Sequence, residues 1–369
     1  MIRKLITTCV VLALICTSVP ALCRKARPPE DESAIMAKSL EGQSLIFARR
    51  YDEAMALFEE LTKDYPRSVV GPFGKLAVLE VRMLEREGLH LRKEYAKVQR
   101  VGHARVGRIL QLYRPTPWQI FICGSFLGLD GFYKARKGAW WDAYVAGTKS
   151  RQLFRRVKKM DPDYIDADFG MGMYLYWRSV FSRDLWFLSF IPDKRQEGIS
   201  IVERVAEHGR FAKDLARVSL AIMYFEEKRY DDAGKILKDF VARYPDNIIL
   251  RNLWGKVLAA TGRYDDAVGQ FRAILKIEPT LKKPYYFMGA ILVRKGDPKD
   301  FPQAEKDLRH FLEIHGGKYW PASAHFWLGR LAEKQGDKEK ARREYEKAVS
   351  LWPKIEKTLK DVRALGGGV

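Results

Sequence analysis

From Ser33 onward, apolar side chains recur three and four residues apart, the spacing that lines one face of a helix. Between Asp214 and Pro279 this pattern is written twice. LARVSLAIMYFEEKRYDDAGKILKDFVARYP is followed by ILRNLWGKVLAATGRYDDAVGQFRAILKIEP. Ala233 and Ala267 each close the tetrad Tyr-Asp-Asp-Ala, 34 residues apart, and Pro245 and Pro279 end the two units at the same separation. Each unit predicts two antiparallel helices, neither able to bury its apolar face alone. In the second unit, Trp254, Gly255 and Leu258 lie on the first helix and Ala267, Phe271 and Ile274 on the second. Gly255 and Ala267 are small enough to let the helices approach, and Phe271 fills the space beside them. Gly262 stops the first helix, Tyr264-Asp265-Asp266 starts the next and Pro279 ends the unit.

The same spacing appears elsewhere. Gly42, Tyr51-Asp52-Glu53-Ala54, Phe58 and Pro66 mark a first unit. Met288-Gly289, Ala304, Leu308 and Phe311 mark another, with three residues inserted near Gly296–Asp300. Leu328-Gly329, Gly336-Asp337, Ala341, Tyr345 and Pro353 mark the last. Between the first unit and Asp214 the motif blurs into enlarged helical repeats. Leu76, Leu79, Val81 and Leu84 keep helical spacing, and Arg114-Pro-Thr-Pro117 is a break. WQIFICGSFLGLDGFYK, residues 118–134, is the most apolar stretch after the leader. Its Gly124 and Gly128 make a GxxxG, but the run is too short to span a bilayer and carries Asp130, so a buried helix is expected. After Asp166-Ala-Asp-Phe-Gly-Met-Gly172, the segment VFSRDLWFLSFIPDKR interrupts a pair with the apolar cluster Trp186, Phe187, Phe190 and Ile191. Basic residues flank that cluster, as in a segment that touches a membrane surface; a loop folded back on the core is the alternative. The division expected is 34–213 for the early repeats and 214–353 for the regular array, with a polar capping helix and tail over 354–369.

Ahead of the repeats, Arg3 and Lys4, the apolar run Leu5–Val19 and Ala21-Leu22-Cys23 read as a signal peptide over 1–23, and 24–33 as a flexible lead. Leu22 stands where a lipidation signal takes a small residue, which speaks against a lipid anchor at Cys23. An exported protein of the periplasm or cell envelope is the expectation. Cys123 is the one cysteine after the leader, so no internal disulfide is expected there, and its apolar surroundings suit an inert thiol.

These motifs resemble those of exported bacterial tetratricopeptide-repeat proteins. The resemblance covers most of Ser33–Pro353, with five well-formed repeats and two or three degenerate ones. It implies an all-α solenoid, a right-handed superhelix of antiparallel helix pairs, serving as a binding scaffold without catalysis. The stretch from Asp166 to Gly198 also resembles a section of a eukaryotic tetratricopeptide family, from which no function is carried over. In this superfamily certain positions of each first helix face a concave groove. Here they hold Asn252 and Lys256, then Lys283, Tyr286 and Arg294, then Phe326, Arg330 and Glu333. The set is mostly cationic with two aromatics and would suit an acidic or C-terminal protein segment. The family's five-residue clamp for a terminal carboxylate is not reproduced, because Phe287 stands where an arginine is expected.

Charge adds a second hint. The chain carries +20, or +18 once Arg3 and Lys4 leave with the leader, and is drawn to polyanions. With export expected, anionic lipid or an envelope polymer fits better than nucleic acid, for which no motif is present. The six histidines form no ligand set, and no metal motif, phosphate loop or activated nucleophile is seen, so neither cofactor nor metal nor catalysis is expected. The acidic pairs of Tyr-Asp-Asp-Ala are explained as charges at helix N-termini. Oligomeric state is not legible.

Overall fold

In the computed structural model, residues 31–183 and 192–355 are described. The expected leader, the lead up to residue 30, the Trp186–Ile191 cluster and the tail beyond Ile355 lie outside them. Helix begins at Glu32, so the last two residues expected in the lead are already helical. Among the described residues there are sixteen α-helices and no strand, arranged as eight successive pairs. They are α1 (Glu32–Phe47) with α2 (Tyr51–Asp64), α3 (Val70–Glu85) with α4 (Arg92–Leu110), α5 (Pro117–Arg136) with α6 (Trp140–Met160), and α7 (Asp166–Arg183) with α8 (Arg195–His208). The regular half follows: α9 (Lys213–Glu226) with α10 (Tyr230–Arg243), α11 (Ile248–Ala260) with α12 (Tyr264–Ile277), α13 (Lys283–Lys295) with α14 (Phe301–Ile314), and α15 (Tyr319–Lys334) with α16 (Lys338–Leu351). On either side of residue 213, one core cluster runs from Tyr176 through Val202, Ala212 and Leu220 to Val257.

A fixed metre sets the pairs. In the sixth, a Cβ on Gly255 would stand 2.7 Å from the Phe271 ring, so only glycine admits that ring. Seven residues after Gly255, Gly262 turns the chain at φ 78°, and Phe271 follows nine later. Gly42, Arg49 and Phe58 keep these intervals in the first pair, and Gly329, Gly336 and Tyr345 in the eighth. At the same turn, Arg49, Glu87 and Lys228 take a left-handed conformation (φ 63°, 50° and 59°) that costs a side-chain-bearing residue about 1–2 kcal/mol. In the seventh pair the insertion expected near Gly296–Asp300 is a short 3₁₀ turn, Pro298–Asp300.

The third pair stretches the metre. Gly124 meets the Phe154 ring, but the left-handed Gly138 comes fourteen residues after Gly124 and Phe154 sixteen after Gly138. One heptad has been added on each side of the turn. Seven residues make nearly two helical turns, so both helices lengthen by about 10 Å without rotating their packed faces away from each other. A box closes the start of α5: Thr116 Oγ1 accepts from Gln119 N–H and Gln119 Oε1 from Thr116 N–H, with Pro117 at the first helical position. Gly124 and Gly128 pack on Phe154 and Ser150, and Ser150 donates to the Gly124 carbonyl at 2.7 Å, so the GxxxG is a close contact within the pair. Asp130 is fully buried and accepts from Gln99, from His103 (3.0 Å) and from Lys134 (2.8 Å), joining α4 to α5. Cys123 is sealed in the core, where burial pushes its thiol up to about 12.

Buried polar groups fix the other joints. Arg105 of α4 donates to the carbonyls of Thr62 (3.0 Å), Tyr65 (3.2 Å) and Ser68 (2.7 Å), satisfying the open end of α2. The Asp166 carboxylate accepts from the backbone N–H groups of Arg210, Phe211 and Ala212 at 2.9–3.1 Å, just ahead of α9. These two contacts explain acidic and basic residues that the repeat motif leaves unassigned.

Candidate partner-binding groove

The turns of the first two pairs reach across to the fifth, sixth and seventh. Phe47 stacks on Tyr244 (centroids 5.3 Å), and its carbonyl accepts from Asn247 Nδ2 at 2.9 Å. Arg49 and Arg86 both approach Glu278, at 3.3 and 3.5 Å, and Glu87 pairs with Lys283. The inner faces of the early and late first helices are thereby brought opposite each other. Between them lies a cavity of about 240 Å³ lined by Ile46, Phe73, Val81, Leu215, Val218 and Ile249 among others. It is larger than the engineered 150 Å³ cavity known to stay dry.

Beyond this apolar floor the groove turns cationic. Lys256 on α11 sits 4.9 Å above the Phe287 ring, and Lys283 at the head of α13 sits 3.9 Å above Trp320. Burial lowers the Lys256 pKa from that of an ordinary lysine, Lys283 adds to the effect, and Glu87 and Glu226 oppose it. Two ammonium groups thus stand on rings, with Glu87 held against one of them.

The expected site residues separate on this geometry. Lys256 and Lys283 come together. Asn252 is half-buried on the same face of α11, and Arg294 is exposed at the far end of α13. The Arg330 side chain is 11% exposed and lies 3.7 Å from Glu333. Tyr286 and Phe326 are corrections, because each is 8% exposed and packed in the core. The Tyr286 hydroxyl is hydrogen-bonded with Ser323 (2.7 Å) and accepts from Trp327 Nε1 (3.2 Å), while the Phe326 ring meets Trp327 and Tyr345. Their bulk turns them inward, although their helix positions match groove-lining ones. Glu87 and Trp320 were not expected; neither occupies a groove-facing position, and only the closure of the stack brings Glu87 in. Phe287, noted only as a missing arginine, is the ring beneath Lys256. The apolar wall had a signal: the same position count applied to α1 and α9 gives Ser39, Gln43, Ile46, Phe47, Leu215 and Val218.

Of the second expected surface, Trp186, Phe187, Phe190 and Ile191 lie outside the described residues. Two of their basic neighbours are engaged with carboxylates, Lys194 with Glu197 at 2.8 Å and Arg195 with Glu227 at 2.8 Å and Asp193 at 2.9 Å. Among the described residues no group of three His, Cys, Asp or Glu is placed to hold a metal ion.

Models of the tetratricopeptide repeat match residues 37–68, 219–281 and 322–354, the first, fifth-to-sixth and eighth pairs of this geometry. The chain is a tetratricopeptide-repeat protein. A chain of the APC/C hetero-tetramer Cut9–Hcn1 superposes with a TM-score of 0.54 and 14% identity, over 88% of this chain and 53% of that one, and shares the fold. Weaker likenesses include pilF of Pseudomonas aeruginosa (TM-score 0.42, 16% identity, 62% of this chain and 92% of that one). Another is YrrB, described as a TPR protein with an unusual peptide-binding site (0.40, 15%, 57% and 97%). No curated protein sequence matches the chain. Its tetratricopeptide pairs are a protein-interaction scaffold, and the models match three of the places where the seven-and-nine metre holds.

Proposed function

We propose that this protein is a non-enzymatic adaptor of a bacterial cell envelope, and that the Lys256–Lys283 end of its groove holds an acidic segment of a partner protein. The supporting observation is Glu87. A carboxylate from the chain's own second turn rests on Lys283, beside the ammonium of Lys256 and the rings of Phe287 and Trp320, so these groups have the charge to take a carboxylate. Lys283 is positioned by proline at the following residue and by Trp320 beneath it, so its charge is held ready.

The test is fluorescence anisotropy with a labelled Asp/Glu-rich hexapeptide bearing a free carboxylate. Lys283→Glu and Lys256→Glu are expected to weaken binding about tenfold or more, the loss of roughly 1.4 kcal/mol that one buried charge contact supplies. Glu87→Gln should strengthen it, and exposed Arg294→Glu should change it little. Unchanged affinity in Lys283→Glu overturns the assignment. The envelope role rests on the leader; protein recovered from the periplasmic fraction with Arg24 at its N-terminus is expected, and protein found only in the cytoplasmic fraction with the leader intact counts against it.

A further inference from the structure

The third pair carries the largest exposed aromatic group among the described residues. At its turn end Trp140, Trp141 and Tyr144 of α6 are 64, 74 and 58% exposed, and Phe132 of α5 is 49% exposed. Trp141 and Tyr144 stack on each other, centroids 5.8 Å apart, and not on the core. This is the end lengthened by the extra heptad on each helix, whereas the sixth pair, without those residues, ends in the small turn Thr261-Gly262-Arg263. Part of the added length is buried, with Tyr133 stacked on Tyr95 in the core, but the rings at its end are left outside.

Charge accompanies the aromatics. Six of the 21 residues of α6 are Lys or Arg, and Asp142 is its only acid. Trp141, Tyr144, Gln152, Arg155 and Lys159 fall at helical spacing and are all exposed, so aromatic and cationic groups share one face about 27 Å long. Lys137, Lys149, Arg155 and Lys159 are exposed and carry no ion pair among the described residues. By contrast, Lys134, Arg136 and Lys158, which turn inward, are each matched to a buried acid.

We infer that the exposed face of the third pair, running from its turn end along α6, is a docking face for an anionic phospholipid surface, with Trp140, Trp141 and Tyr144 entering the headgroup layer while Lys137, Lys149, Arg155 and Lys159 hold lipid phosphates. Charge complementarity selects this occupant. Indole and phenol rings with a polar edge settle at the boundary between headgroup and acyl chain, and unpaired cations beside them gain most from a surface that is negative everywhere. The contact is peripheral, since among the described residues no helix is long and apolar enough to cross a membrane. It leaves the Lys256–Lys283 groove for a different ligand.

The test is co-sedimentation of the full chain with vesicles of phosphatidylcholine containing about one-third phosphatidylglycerol, and with vesicles of phosphatidylcholine alone, at low and high salt. Wild type should pellet with the anionic vesicles, not with the neutral ones, and be released by salt. The triple variant Trp140→Ser/Trp141→Ser/Tyr144→Ser should bind about tenfold less while melting as wild type does. Its substitutions remove exposed rings, so folding is expected to survive. Arg155→Glu/Lys159→Glu should weaken binding and flatten its salt dependence. Failure of wild type to pellet overturns the inference. So does a triple variant that binds like wild type, and so does a loss seen only in Trp186→Ser/Phe187→Ser, which would move the contact to the other aromatic cluster.

Discussion

In the sixth pair one ring, Phe271, closes against one small residue of its partner helix, Gly255. In the third pair Phe154 closes against two, Gly124 of its own pair and Gly170 of the next. The sixth pair spends 13 and 14 residues on its helices, the third 20 and 21. Both turn on a left-handed glycine, at φ 78° and 82°. The packed centre and the turn are thus common to both, and the difference is a heptad of helix between them on each strand of the pair. What that difference teaches is where a repeat is free to vary. Contacts at the centre tolerate only a small residue facing a ring, whereas length added in whole turns leaves the centre intact and exposes new surface at the end.

The largest expected effect tests the centre. Phe271→Ala should cost about 3–4 kcal/mol in urea unfolding, and Phe154→Ala more, toward about 5, because its ring fills the space of two glycines, whereas Phe271 fills that of one and stacks on Phe287 of the next pair. Equal losses would mean that the Gly170 contact adds nothing and would erase this side of the comparison.

Next comes the polar joint peculiar to the third pair. Asp130→Ala should cost about 3 kcal/mol, because it leaves Gln99, His103 and Lys134 without their shared acceptor. Burial pushes the Asp130 pKa up, but the hydrogen bonds from His103, Lys134 and Gln99 outweigh it and hold the carboxyl below the usual carboxylate range. A depressed folded pKa stabilises the fold above the unfolded value of about 3.9 and loses that contribution as pH falls through the folded one. The gap between wild type and Asp130→Ala should accordingly be constant above about pH 5 and shrink on acidification below about pH 4. A gap that instead grew on acidification would contradict this account.

The smallest effect concerns the turns. Lys228 sits at φ 59° where Gly262 stands in the next pair. Lys228→Gly should stabilise by about 0.5–1 kcal/mol, the relief of left-handed strain less the entropy glycine adds to the unfolded chain. A destabilised variant in thermal melts would show that the lysine side chain contributes more than its backbone costs. Glu87→Gly at the equivalent turn should gain less, because it also gives up the pairing with Lys283.

Much of this was legible beforehand, residue by residue. The small-residue and ring pairs Gly42/Phe58, Gly255/Phe271 and Gly329/Tyr345 were readable because packing two helices closely demands one small and one large partner at a set separation. In the third pair Gly124 was visible but its partner Phe154 was not, since the extra heptads carry the two out of the motif's frame. At the groove, Lys256 and Lys283 stand near each other on the face their positions suggested, while Tyr286 and Phe326 turn into the core. A position count gives the direction of a Cα–Cβ bond, but large aromatic side chains bend from it to reach the core, where their burial is worth most.

Local chemistry written along the chain thus determined the helices, their pairing and the 34-residue period, because each depends on neighbours within about one repeat. Only the tertiary structure decided that the first two turns meet the fifth to seventh pairs, that Glu87 rests on Lys283, and that Trp140, Trp141 and Tyr144 stay in solvent. The contacts across the stack depend on small rotations between successive pairs summed over five or six repeats. No single stretch of sequence encodes such a sum, and a small change at any joint would separate Phe47 from Tyr244 and Glu87 from Lys283 while leaving every helix as it is.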